Sequence, residues 1–265
     1  MSVLTTYQHH IIDVVAGFGI GVLICYLFPL SNQHAFTWAY KPYFSLAANY
    51  LMPAVALFVA AFFVNFWLAL PMLWCSVCAL FVGLGYLGLG PIVFQKHRYG
   101  KFSYAARVVH LPYRIGSRLV RRFFLKEAAQ PQKITDQLYL GVYGMQDQVD
   151  CKVVFDLCSE YEREGIYNRK YVSFPIVYQT TPSIDELHQA VMKLDRLLKE
   201  NGTVFVQCAL GMSRSASLAI AWLIFSKKIK TIEEIFDFLK ETDIRSNLSA
   251  KHVRLLAHYS QQLHG

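Results

Sequence analysis

Cys208 and Arg214 stand six positions apart in Val206-Gln207-Cys208-Ala209-Leu210-Gly211-Met212-Ser213-Arg214-Ser215. A β-branched run, Thr203 to Gln207, precedes them, and an apolar run with helical period, Ser215 to Phe225, follows. A loop passing from a strand into a helix N-terminus points successive backbone N–H groups at an anion, and the helix dipole favours negative charge there. The same field favours the thiolate of Cys208, the nucleophilic form of a cysteine. Arg214 can hold two phosphate oxygens side by side and stabilise transition-state charge. Gly211 permits the turn. Ser215 can hydrogen-bond the cysteine and help expel it in a second step. Together these residues suit phosphate transfer to cysteine, with Ala209, Leu210, Gly211, Met212 and Ser213 as the cradle and no metal or cofactor required.

The elements that must position this loop are legible upstream. Ile134 to Gly141 reads as a short strand entering a turn, Val153 to Leu157 as a buried strand, and Tyr171 to Ile176 as another. Ser183 to Asn201 places Ile184, Leu187, Val191, Leu194 and Leu198 on one helical face, and Gly202 ends it. A further helix is predicted over Ile232 to Leu239. Strands alternating with helices predict an α/β domain with a largely parallel central sheet over 132–265.

The first 95 residues have a different texture. Within 1–94 the charged side chains are Asp13 and Lys41, whereas 95–126 hold nine Lys/Arg and no acid. The net charge of +8 thus comes from one short segment, which suits a membrane surface better than nucleic acid. A hydrocarbon layer needs ~20 helical residues per crossing, and about three transmembrane helices are predicted near 12–30, 47–66 and 71–94. Asn65 to Pro71 is the expected turn between the last two. Trp38, Tyr40, Tyr43, Tyr50, Trp67 and Trp74 flank the spans as interfacial aromatics do. The basic linker, 96–131, places the following domain in the cytoplasm by the positive-inside rule, and three crossings put the N-terminus outside. The expected location is a multi-pass protein of a bacterial inner membrane. Val108 to Leu125 alternates apolar residues with Arg114, Arg118, Arg121 and Arg122, as an amphipathic helix on anionic lipid or a solvated linker would. Cys75 and Cys78 lie in an apolar run and read as packing residues, and the six cysteines do not form a secreted disulfide framework.

Ile134…Leu138-Tyr139-Leu140-Gly141, Phe174-Pro175-Ile176 and the Cys208 loop resemble the dual-specificity branch of the protein tyrosine phosphatases across roughly 132–262. Ile244-Arg245-Ser246 is similar to the mitochondrial phosphatidylglycerophosphate phosphatase subgroup. The resemblance implies a phosphocysteine intermediate on Cys208, hydrolysed by water. Two positions depart from the pattern. Gln207 stands where the family has His. Tyr178 stands where the family has its acidic Asp, and a phenol is a far weaker acid than a carboxylic acid. Asp185 is the nearest downstream carboxylate and a general-acid candidate, although Asp is also favoured in a helix's first turn. The loop's variable residues carry no Lys or Arg, which favours a singly phosphorylated protein residue or simple lipid phosphate. Cys158 matches a cysteine that pairs oxidatively with the nucleophile in tensin-type lipid phosphatases, making it a redox-partner candidate.

Tyr7 to Gly17 resembles the last motif of the type 2 phosphatidic acid phosphatase family, with His9 and Asp13 on its nucleophile and orienting positions and Val3 in place of its phosphate-binding Arg. Residues 2 to about 30 therefore read as the end of a shortened lipid-phosphatase domain serving as an anchor. Three functions follow. The first is a membrane-anchored cysteine phosphatase acting on phosphorylated protein or lipid. The second is a pseudophosphatase that only binds phosphorylated ligands, and the third is a lipid phosphatase working at His9. Membrane lipids are the other expected partner, and oligomeric state is left open.

Overall fold

A computed structural model describes residues 11–29, 36–125, 130–165, 168–227, 234, 237 and 248–264. His9 and the Ile244-Arg245-Ser246 string lie outside these, as does most of the helix predicted over Ile232 to Leu239. The chain divides into two compact units. One holds residues 1–97 and 102–115, the other 98–101 and 116–265.

The first unit is helical. Its helices are α1 (Ile11–Leu27), α2 (Phe44–Ala60), α3 (Phe66–Leu84) and α4 (Tyr104–Val109). α5 (Leu111–Phe124) begins here and crosses the boundary into the second unit. Two helical stretches, Phe44–Phe63 and Phe66–Phe94, are long and apolar enough to cross a membrane. Among the described residues α1 runs for 17, shorter than either, so two of the three predicted spans meet the length there. The predicted turn also moves. Asn65 Oδ1 accepts from Leu68 N at 3.1 Å, an N-cap that starts α3 at Phe66. Pro71 therefore lies inside a helix instead of ending a turn. α2 and α3 approach closely where Gly83 faces Leu51; a Cβ there would come within 2.6 Å of that side chain. Ser76 Oγ donates to the carbonyl of Ala54 at 2.7 Å, satisfying a buried hydroxyl in the same interface.

The second unit is built on a five-stranded sheet ordered β1-β2-β5-β3-β4. The strands are β1 (Gln132–Lys133), β2 (Leu138–Val142), β3 (Val153–Cys158), β4 (Lys170–Ile176) and β5 (Val204–Cys208). Every pairing is parallel except β1 with β2. The sheet is thus mixed, with an antiparallel edge. The predicted strand over Ile134 to Gly141 shortens to β2, because Thr135 Oγ1 accepts from Leu138 N at 3.1 Å and bends the chain between β1 and β2. The central strands β3 and β5 are buried throughout, as expected of parallel strands covered on both faces.

Among the described residues, three helices cover one face: α6 (Ile184–Asn201), α7 (Arg214–Phe225) and α8 (Ala250–His264). Leu187, Val191 and Leu194 of α6 pack with Leu218 and Ile220 of α7, and Leu256 and Tyr259 of α8, against Leu138, Phe155 and Val206. Ser183 and Glu186 form a reciprocal capping box that starts α6. α8 is not foreseen in the sequence. The opposite face is thinner, with Val154 and Phe205 packed under Val149, Cys151, Tyr139 and Tyr171.

Candidate active site

Parallel strands deliver their C-terminal ends to one edge, and in open α/β sheets ligands bind beside that edge. β5 ends there on Cys208, and α7 begins six residues later on Arg214. Gly211 shows why the intervening loop needs glycine. Its φ is +69°, and a Cβ would lie 2.9 Å from the carbonyl carbon of Gly141 in β2. Gly141 is itself confined, since a Cβ there would meet the ring of Phe205 at 2.5 Å. The loop folds down onto β2 because Gly211 leaves room for it, while Gly141 leaves room for the Phe205 ring.

Cys208 is buried, and its Sγ lies 3.3 Å from Ser215 Oγ. Arg214 and Ser215 are buried with it. The structure therefore brings together the nucleophile, the cradle and the assisting hydroxyl that the sequence assigns. Ser213 occupies the N-cap of α7, yet its side chain makes no capping hydrogen bond. Its Oγ lies instead 3.3 Å from Nε2 of His252, whose Nδ1 lies 2.8 Å from Ser249 Oγ. A capping serine would occupy one of the first-turn amides; held aside by α8, it leaves those amides to an anion. Burial lowers the pKa of His252 from 6.5, favouring the neutral ring.

Arg214 is fixed by a residue the sequence reading missed. Its Nη2 donates to Glu160 Oε1 at 2.6 Å and its Nη1 to Oε2 at 3.0 Å, an end-on pair with both partners almost fully buried. Nη1 also donates to the carbonyls of Ile176 at 2.7 Å and Leu157 at 3.3 Å. Guanidinium has five donors, so the Nε–H and second Nη2–H, which share the adjacent edge, stay available for two phosphate oxygens. Burial disfavours the arginine's charge, but the Glu160 carboxylate outweighs it and keeps Arg214 protonated. The hint in the sequence was an acid two residues beyond a wholly apolar strand end, Leu157-Cys158-Ser159-Glu160.

The flanking positions complete the picture. Tyr178 lies with its ring centroid 5.5 Å from the Arg214 guanidinium carbon, a cation–π distance. Asp185 is exposed in the first turn of α6, two residues after the capping serine. Gln207 is buried in β5, opposite Asp156 of β3, and its Oε1 has no hydrogen-bond partner. Asp156 Oδ1 accepts from Cys158 N at 2.9 Å and Oδ2 from the Tyr171 hydroxyl at 2.5 Å. Cys158 and Cys208 are not joined by a disulfide and lie in different clusters, Cys208 against the helices and Cys158 with Tyr143, Tyr161 and Ala209. Asp13 is exposed in the first turn of α1.

Residues 138–262 match the family model of the dual specificity phosphatase catalytic domain. Dual specificity protein phosphatase 1 of Homo sapiens is 33% identical over 126 residues, covering 44% of this chain and 34% of that protein. Dual specificity protein phosphatase 2 of Mus musculus is 34% identical over 79 residues, covering 29% of this chain and 24% of that protein. The chain thus spans about a third or less of these relatives' length. Among solved structures, the human tyrosine phosphatase-like serine/threonine/tyrosine-interacting protein aligns at 20% identity with a TM-score of 0.44, covering 50% of this chain and 97% of that one. Tk-PTP in its active form aligns at 17% identity and a TM-score of 0.43, with coverages of 50% and 97%. Residues 138–262, within the second unit, are thus similar to a dual specificity phosphatase catalytic domain; the match does not extend to residues 2–30.

Proposed function

We propose that the chain is a membrane-anchored phosphatase that hydrolyses phosphate monoesters on the cytoplasmic side through a phosphocysteine on Cys208. The Arg214 geometry carries this reading: a buried arginine locked on one edge by Glu160, with its second edge open beside a cysteine at a helix N-terminus. The phosphate sits over the loop, held by backbone amides and the open edge of Arg214. The Cys208 thiolate attacks phosphorus, the phosphorus–oxygen ester bond breaks, and the leaving oxygen takes a proton. Water then attacks the thiophosphate and returns the thiolate, with Ser215 hydrogen-bonding the departing sulfur. Asp185 is the candidate donor for the leaving oxygen, and Tyr178 stands at the family's position for that role. Two apolar helices long enough to cross a membrane, followed by the basic segment, support the anchor and its orientation.

The experiment is turnover of an activated aryl phosphate by the full chain, since a good leaving group needs little acid assistance. Turnover lost in Cys208→Ser supports the reading, and turnover that survives Cys208→Ser but disappears in His9→Ala would transfer it to the N-terminal motif. Gln207 and Tyr178 favour a second reading, a binder of phosphorylated ligands. An inert wild type that still binds phosphotyrosine or inorganic phosphate would establish it.

A further inference from the structure

From Gly116 onward, α5 belongs to the catalytic unit. Three contacts fix it there. The Tyr161 hydroxyl donates to the carbonyl of Ser117 at 3.2 Å. The Arg121 guanidinium carbon lies 5.3 Å from the ring centroid of Tyr143 and 5.6 Å from that of Tyr161. Arg118 pairs with Glu164 at 3.8 Å. The two tyrosines stack on each other at 4.7 Å and share a cluster with Ala209 and Leu210 of the phosphate loop. Tyr143 N also donates to the carbonyl of Cys208 at 2.9 Å. The helix is therefore attached to the rim of the active site, two contacts removed from the nucleophile.

Its other side is exposed. Leu119, Val120, Phe123 and Phe124 are between 52% and 69% exposed. At ~100° per residue they fall on one side of the helix, with exposed Arg122 at its border. An apolar strip edged with arginine, in a segment of nine cations and no acid, is complementary to an anionic lipid surface, where rings enter the acyl boundary and cations meet headgroup phosphates. The same chain carries two helices long and apolar enough to cross a bilayer. The loop beside this helix presents Leu210 and Met212, uncharged and partly exposed.

We propose that this face of α5 seats on anionic lipid and holds the Cys208 loop against the headgroups, so that the substrate is a phosphate monoester carried on a lipid. The proposal rests on the phosphatase reading above. Tethering the site at the headgroup layer raises the effective concentration of lipid substrate and leaves the chemistry at Cys208 unchanged.

The test uses the full chain in phosphatidylglycerol-rich vesicles, assayed on a soluble aryl phosphate and on phosphatidate embedded in the bilayer. The double variant Phe123→Glu, Phe124→Glu should keep its aryl phosphate rate and lose about tenfold or more on phosphatidate. Replacing phosphatidylglycerol by phosphatidylcholine should have the same selective effect on the wild type. Phosphatidylglycerol with a photoactivatable acyl chain should label the tryptic peptide that starts at Phe123. Equal phosphatidate rates in variant and wild type, or an unlabelled peptide, would overturn the docking. A wild type that turns over aryl phosphate and phosphotyrosine peptide but not phosphatidate would overturn the lipid substrate. A wild type inert on aryl phosphate yet labelled at that peptide would keep the docking and remove the phosphatase reading beneath it.

Discussion

Arg214 and Glu160 set the site's electrostatics as a pair. Each is nearly fully buried, at 3% and 2% side-chain exposure, so removing one leaves the other charged and desolvated. Breaking such a pair costs about 3–5 kcal/mol, and Glu160→Ala is expected to lower stability by that order, read by denaturant unfolding. It should also release Arg214 from its orientation, so turnover per folded molecule should fall with it. His252 makes a different prediction. Its pKa is lowered in the folded protein and ordinary in the unfolded chain, so the unfolded chain binds the extra proton first. Its contribution is present above about pH 6.5 and is lost as pH falls through the lowered folded value. His252→Gln should flatten that acid limb of the thermal midpoint against pH. A wild type and variant with parallel acid limbs would show that His252 does not titrate there.

At the scale of elements, the loop from Cys208 to Ser215 could be read from the sequence because its chemistry is local: nucleophile, glycine, arginine and serine lie within eight consecutive residues. Partners that come from elsewhere could not. Glu160 reaches Arg214 across 54 positions, Gly141 lies under Gly211 only because β2 pairs with β5, and His252 arrives on α8, 39 positions beyond Ser213. The buried strands were legible as β-branched runs. The start of α3 was not, because Pro71 signalled a break while the Asn65 cap, six residues earlier, decided where the helix began. Gly211→Ala tests the close approach of loop and strand. A methyl there meets backbone that cannot swing aside, and at φ +69° it is strained as well. A displacement of the cradle on the order of 1 Å costs about 10²-fold, and kcat/KM on an aryl phosphate is expected to fall by that factor with the fold retained by circular dichroism. An unchanged kcat/KM would mean the loop does not need this seat on β2.

For the whole molecule, charge changes along the chain in three stretches. An almost uncharged stretch (1–94), a basic one (95–126) and a near-neutral one (127–265) follow one another, and the boundary between the two compact units falls within the basic one. The central claim, however, is covalent: phosphate passes through Cys208. Trapping that species tests it most directly. In Ser215→Ala, whose second step should slow, quenching the full chain during aryl phosphate turnover should give a phosphate adduct on the peptide containing Cys208, with a thiophosphate ester signal by phosphorus NMR. Cys208→Ser should show neither. Turnover accompanied by an adduct on another residue, or by no adduct in the slowed variant, would contradict the account.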